Sequence, residues 1–521
     1  MKIVFNNSKI ENITVNVSLD GGFTYKDYEV AEVKESGIPL NDSQDYEKIK
    51  IKGPANTLKR LDVITTIPSN GEDSEGFNFI IDKDTYGLSF PECIVGITLP
   101  DGITSITKSL TSSSSSTENG FSNFPNLHSI VIPSSVTKIS DYAFYYCKNL
   151  TSIDIPSSVT SIGNNSFYGC TSLTSINIPD GVTTIGSYAF KGCSNLASIN
   201  IPNSVTSIGS SAFASCTNLT SVTIPSSVTS IGVNAFFICT SLTSVTIQEG
   251  VTTISSWVFH DCSSLTSIDI PSSVTSISDN AFYGCSKLTI RVDENNQNYS
   301  TSEDGKVLFN KNKTTLICYP SVNDDYTVPD SVTTIGEWAF SGCTSLTNIN
   351  IPDNVTSIGE HAFYECSKLT SVTIPEGVTS IGRSAFHNCS NLTSITIPES
   401  VTSIGSSAFI GCRSLTSINI PDGVTSIGSS TFQSCTSLTS ITIPEGVASI
   451  GYGAFQDCYG LTSINIPNSV SSIGDYAFKG CSKLTIINYT GTEEQWKTIS
   501  KGTSWNTGCP SSLVIKCDYQ G

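Results

Sequence analysis

Charge is scarce in this chain. Only 14% of its 521 residues are Asp, Glu, Lys or Arg, and the acidic ones prevail to leave a net charge of −18. So few cations, with no basic stripe in the body of the chain, argue against a nucleic-acid binder, which clusters Lys and Arg against phosphates. Long apolar runs are missing too. None approaches the ~18 residues of a membrane-spanning helix, so no membrane insertion is expected. The opening stretch "MKIVFNNSKIENITVNVSLD" lacks the apolar core of a signal peptide. That is awkward for an exported cell-surface protein and natural for a virion component made in a cytoplasm and released by lysis. Both carriers stay open. Methionine occurs only at Met1, and the four histidines (His128, His260, His361, His387) are scattered and read as solvated surface side chains. No P-loop, H-E-x-x-H, G-x-S-x-G or C-x-x-C is present. No catalytic residues, metal site or cofactor are therefore expected.

What the chain has in abundance is itself. A string of 23 residues recurs with the consensus I-P-x-S-V-T-S-I-G-x-x-A-F-x-G-C-x-x-L-T-S-I-x. Phenylalanines mark the period at Phe144, Phe167, Phe190, Phe213, Phe236, Phe259 and Phe282, then from Phe340 to Phe478, and a cysteine follows three residues after each. Internal repeats of this length mean stacked coils. The end of L-T-S-I-x-I alternates apolar and polar, as a strand does. Leu173, Ile176 and Ile178 point inward; Ser175 and Asn177 point outward. Proline stops the strand and opens a turn. V-T-S-I-G is a second short extended piece, and A-F-x-G-C, too short for an independent helix, reads as one tight helical or 3₁₀ turn. A single coil cannot bury its own apolar face, but stacked coils cover one another. The fold expected is thus a β-rich solenoid with a long parallel sheet.

L-x-x-I-x-I-P followed by G-x-x-A-F-x-x-C resembles the BspA-type, or treponemal-type, leucine-rich repeat across roughly residues 94 to 488. The resemblance implies a curved leucine-rich-repeat array. It also implies surface-located binding proteins, adhesins especially, in host-associated microbes. The family has no shared catalytic residues to carry over.

The chain holds 18 cysteines, and three readings compete: a disulfide framework, a metal site, or buried thiols packing as small hydrophobes. Stacked side chains point the same way, whereas a disulfide needs convergent Cβ vectors. A row of thiols is not a tetrahedral cage. Buried thiols are favoured for the ladder; Cys509 and Cys517, outside it, are better placed for a disulfide.

Three domains are expected. Residues 1–92 do not repeat, carry much of the charge, and read as a small β-rich domain that caps the solenoid or anchors it. The solenoid spans 93–488, with a Ser-rich insertion at 108–119 and a projecting β-hairpin insertion at 289–328. Residues 489–521 form a C-terminal cap, with one short helix over Glu493 to Ser500 and with Trp496 and Trp505 covering the last coil.

Function is placed on the outward strand column: Val131, Asp154, Asn177, Asn200, Thr223, Thr246 and Asp269, then Asn350, Thr373, Thr396, Asn419, Thr442 and Asn465. A nearly unbroken serine column runs beside it. The repeats vary most around the A-F turn, where aromatics gather, among them Tyr142, Tyr145, Tyr146, Tyr168, Tyr188, Trp257 and Trp338. The two tryptophans flank the hairpin, and a hot spot is expected where they and the loop converge. The leading reading is a non-enzymatic, extracellular-facing recognition or adhesion protein, on a cell surface or a virion, binding a protein or polysaccharide of a host or bacterial surface. A purely structural spacer and a carbohydrate-active enzyme are the alternatives. Oligomeric state is left open. If the cysteine ladder is a packing device, mass analysis after non-reducing denaturation should find its fourteen cysteines as free thiols; most of them paired would overturn that account.

Overall fold

The computed structural model describes residues 104–106, 121, 127–320 and 325–519, and the backbone of seven strands before them, from Lys2–Phe5 to Gly96–Thr98. The Ser-rich insertion at 108–119 lies outside the described residues. The chain divides into two units, Met1–Ala281 and Phe282–Gly521. In the first, Lys2–Phe5 pairs antiparallel with both Lys48–Lys50 and Phe79–Ile81, and Asn12–Ser18 with both Lys26–Tyr28 and Arg60–Thr66. Each unit then continues as a parallel β-solenoid.

Register follows the repeat. Ser161–Ile162 pairs with Thr184–Ile185, and that with Ser207–Ile208, so that Ile162, Ile185 and Ile208 stand in one row. Ser221, Val222, Thr223 and Ile224 pair one-to-one with Ser244, Val245, Thr246 and Ile247. Because side chains alternate along a strand, Val222 and Ile224 go into the core with 4% and 0% exposure while Ser221 and Thr223 face out. Pro-x-x-Val closes the corner: the Val182 N–H donates to the Pro179 carbonyl at 3.0 Å. Threonines then tie coil to coil. The Thr183 hydroxyl and N–H both donate to the Thr160 carbonyl, at 3.3 and 2.9 Å, which explains why threonine follows the valine.

The A-F-x-G-C stretch is not the helical or 3₁₀ turn expected from its sequence. It is a pair of linked turns. Tyr145 and Cys147 donate to the carbonyls three residues back, at 3.2 and 3.1 Å, while Tyr142, Phe144 and Tyr146 donate to the next coil, at 2.9, 2.7 and 2.6 Å. A helical turn would spend all these N–H groups within one coil. Turning them forward takes left-handed backbone two residues before and two after the Phe, as at Tyr142 and Tyr146, then Asn165 and Gly169, then Tyr188 and Gly192. Glycine takes that conformation without strain; other L-residues do not.

The thiols have a partner that the sequence reading missed. Ladder cysteines donate their S–H to the aromatic carbonyl of the preceding coil, a phenylalanine's in most coils, as Cys170 does to Phe144 at 3.1 Å and Cys193 to Phe167 at 3.1 Å. The same carbonyl already accepts the N–H of its own coil's cysteine. Burial pushes the Cys170 and Cys216 thiols well above their ordinary value, so they stay protonated and inert. Cys509 and Cys517 are free as well, and Cys509 extends the ladder by donating to Phe478 at 3.3 Å. They are not the disulfide their position suggested. Beside the thiols the phenylalanines stack face to face, from Phe121 to Phe259 and from Phe340 to Phe478; Phe190 and Phe213 lie 5.3 Å apart and 1° from parallel.

The second unit corrects the reading of 289–328. Its strands Leu308–Asn310 and Thr315–Cys318 are antiparallel, but the segment does not project. Val307, Leu308, Phe309 and Leu316 are buried, and Thr315–Cys318 pairs parallel with Thr334–Ile335. Tyr319 takes the phenylalanine's place, accepting the Cys343 thiol at 3.1 Å and packing 5.2 Å from Phe340. At the far end of this unit Trp505 meets Phe478 edge-on at 6.0 Å, and a helix spans Glu493–Thr498 behind a Thr492–Gln495 capping box. Trp496 on that helix is 9% exposed and packs on Tyr489.

Two substitutions test the coil-to-coil fit. Ser166 stands where the consensus has alanine, and its hydroxyl is fully buried without a partner. Ser166→Ala is expected to raise stability by about 1 kcal/mol. A Cβ on Gly209 would lie 2.4 Å from the Ser187 nitrogen of the preceding coil. Gly209→Ala is expected to cost at least about 2 kcal/mol. Urea midpoints read both, and a neutral Gly209→Ala would refute the close approach of backbones.

Candidate functional site

The outward column is built by the strand register. In the first unit Asn177 stands beside Asn200, and Thr223, Thr246 and Asp269 stand in one row. In the second, Thr373 stands beside Thr396, and Thr442 beside Asn465. Asp154, Asn350 and Asn419 are exposed like their equivalents, and Val131 is 58% exposed; only Asn465 is half-buried. The column thus exists within each unit as an exposed row, polar but for Val131. Some of its members bond to one another: Asn465 donates to the Thr442 hydroxyl at 3.2 Å and Asn488 to the Asn465 carbonyl oxygen at 2.8 Å.

The aromatic positions are less uniform. In the first unit, three successive coils bring tyrosines together. Tyr145 stacks on Tyr168 at 5.0 Å, and Tyr146 meets both edge-on at 4.6 and 5.2 Å. The Tyr146 ring lies over Gly169, where any Cβ would collide with it. Two lysines that sequence reasoning did not single out complete the group: the Lys148 ammonium lies 5.5 Å from the Tyr146 ring, and Lys191 lies 5.3 Å from Tyr188 and 5.9 Å from Tyr168. Their spacing was legible only once the A-F turn was known to point these positions the same way.

A family profile for the BspA-type leucine-rich repeat region (6 copies) matches residues 114–237, 206–304, 318–435 and 402–516. The chain belongs to the BspA-type leucine-rich repeat family. Among solved structures, this repeat protein is similar to a leucine-rich cell surface protein from Faecalibacterium prausnitzii, at 35% identity over 72% of this chain and 90% of that one, with a TM-score of 0.46. It is also similar to a leucine-rich repeat protein from Bacteroides ovatus, at 34% identity over 73% and 87%, with a TM-score of 0.44. The comparison with curated proteins gives no match.

Trp257 of the repeat protein lies in the first unit and Trp338 in the second. Trp257 meets His260 edge-on at 4.8 Å in the first. Trp338 lies flat on His361 at 4.0 Å in the second, and Tyr283 meets it edge-on while donating its hydroxyl to Glu365 at 2.9 Å. Both tryptophans are half-buried and left-handed. The histidines are correspondingly not the solvated side chains expected. Only His128 is exposed; His260, His361 and His387 are half-buried in these ring stacks.

Burial holds His361 below its ordinary value, helped by Arg383 and opposed by Glu360; burial does the same for His387, opposed by Glu365. The folded protein therefore binds these protons less readily than the unfolded chain. The stability this gives is present above about pH 6.5, the ordinary histidine value, and is lost as pH falls through the lowered values. The urea midpoint of the repeat protein should drop between pH 7 and pH 5, and His361→Gln with His387→Gln should flatten the drop. An equal drop in the double variant would exclude these histidines as its source.

Proposed function

We propose that this chain is a non-enzymatic recognition protein that works outside the cell that makes it, on a cell surface or a virion. It engages a protein or polysaccharide of a host or bacterial surface through its exposed strand column. The observation that carries this reading is the register of the outward row. One small polar side chain per coil, at Asn177, Asn200, Thr223 and Thr246 and again at Thr373 and Thr396, is presented at a fixed spacing on rigid strands. Such a row can hydrogen-bond an extended partner at many points, and membership of the leucine-rich repeat family supports a binding role. The same uniformity favours a second reading, a spacer that only holds its ends apart.

Labelled full-length protein should bind bacterial cells, host cells or an arrayed glycan. Arginines introduced at Asn177, Asn200, Thr373 and Thr396 should weaken that binding at least tenfold without lowering the urea midpoint. Binding to bacterial surfaces would favour a phage or interbacterial carrier; binding to host matrix or mucin would favour an adhesin. No binding to any of these surfaces would leave the spacer.

A further inference from the structure

The tyrosine-lysine group of the first unit is the sharpest departure from the repeat. The fold does not require it. The next coil holds Ser211, Ala214 and Ser215 at the equivalent positions and packs Phe213 in the same way, fully buried. Tyr146 sits in the left-handed region at φ 57°, where the two coils that follow place Gly169 and Gly192. Tyr188, likewise left-handed, is 39% exposed and Tyr146 is 41% exposed. The fold imposes left-handed backbone at these positions whatever the residue, as at Ser211 and Ser215, so large rings left facing solvent there, where serine serves the fold equally, point to a role other than packing.

The chemistry of the group selects its partner. Tyrosine offers an apolar edge and a hydroxyl at the same spot, as sugar-binding surfaces need, with little conformational entropy to lose. Lys148 and Lys191 are held over the rings and place two cations on a chain whose net charge is −18, so an anionic partner is favoured there. Size then separates partner classes. A stable protein interface takes about 20–30 residues a side, whereas this group spans three coils, roughly 10 Å at one strand spacing per step. That suits two or three sugars. The ring-to-ring step of 5.0 Å between Tyr145 and Tyr168 is also close to the length of one pyranose.

The geometry points to a binding site for a short acidic segment of a polysaccharide, carrying carboxylate or sulfate groups, formed by Tyr145, Tyr146, Tyr168, Tyr188, Lys148 and Lys191. This deepens the recognition reading and rests on it. The site is separate from the strand column, so the two can fail independently.

The test uses the full chain against immobilised hyaluronan, chondroitin sulfate and neutral dextran, with bacterial and host cells alongside. The expected result is salt-sensitive binding to one of the acidic polymers and none to dextran. Lys148→Gln with Lys191→Gln, and separately Tyr146→Gly with Tyr188→Ser, should each weaken it at least tenfold. Tyr146→Gly relieves a strained residue, so it should leave the urea midpoint unchanged or higher. Arginine substitutions in the strand column should leave this binding intact. Preference for the carboxylated or the sulfated polymer identifies which anion the lysines take. Unchanged binding in both double variants would overturn the site while leaving recognition standing. Binding to cells but to neither acidic polymer would overturn it likewise, as would capture of an acidic protein by these residues with no glycan bound. Binding to nothing would overturn both readings.

Discussion

Everything in this protein depends on one coil sitting a single strand spacing from the next, joined by backbone hydrogen bonds. At that distance no position can be chosen for its own coil alone. Each side chain must tolerate its own copy above and below. Phenylalanine meets this by stacking flat, as Phe167 does on Phe190 at 2° from parallel. Isoleucine and valine meet it in rows, and the outward positions meet it with Ser, Thr and Asn, which bond to one another instead of repelling. A row of like charges would not be tolerated so well, and that accounts for the scarcity of charge in a chain of this length.

The same constraint explains the conserved-looking oddities of each coil. The glycine that ends V-T-S-I-G is where two backbones nearly touch; a Cβ on Gly186 would be 2.6 Å from the Asn164 nitrogen. The cysteine is the residue whose small, weakly polar head reaches the preceding phenylalanine carbonyl without needing water. Burial leaves thiols such as Cys170 and Cys216 protonated and chemically quiet. The interior is nearly uniform from coil to coil, and much of what differs between coils lies in the side chains around the A-F turn. The tyrosines and lysines of three coils in the first unit are the fullest case of that variation.

Much of this was legible in the sequence because the repeat is so regular. The 23-residue period gave the solenoid, the alternation in L-T-S-I-x-I gave which side chains face the core, and Pro gave the corner. What escaped was whatever depends on contact between coils. The sequence A-F-x-G-C does not say that its N–H groups turn forward, because left-handed tyrosine, tryptophan and serine there carry no glycine signature. The thiol bond runs 26 residues back along the chain, which no local pattern reveals. At 289–328 the polar "NKNK" suggested a projecting hairpin, yet Phe309 and Leu316 continue the core and Tyr319 stands in for a phenylalanine. Histidines looked solvated because nothing in their neighbourhood shows that His361 will lie under Trp338. For the strand column, placement was legible from alternation, while its partner is not written in residues that repeat.

The central claim is that forward-turned amides of the A-F segment, not a helical turn, bind the coils together. Native-state hydrogen exchange tests it most directly. The amides of Phe167, Phe190, Phe213 and Phe386 each donate to the following coil's alanine carbonyl, at 2.7 to 2.8 Å. They should exchange as slowly as the strand amides of Ile185 and Ile208, in one cooperative opening. If they exchange like an exposed loop while the strand amides stay protected, the turns are a covering on the solenoid rather than part of what holds it together, and the account is wrong.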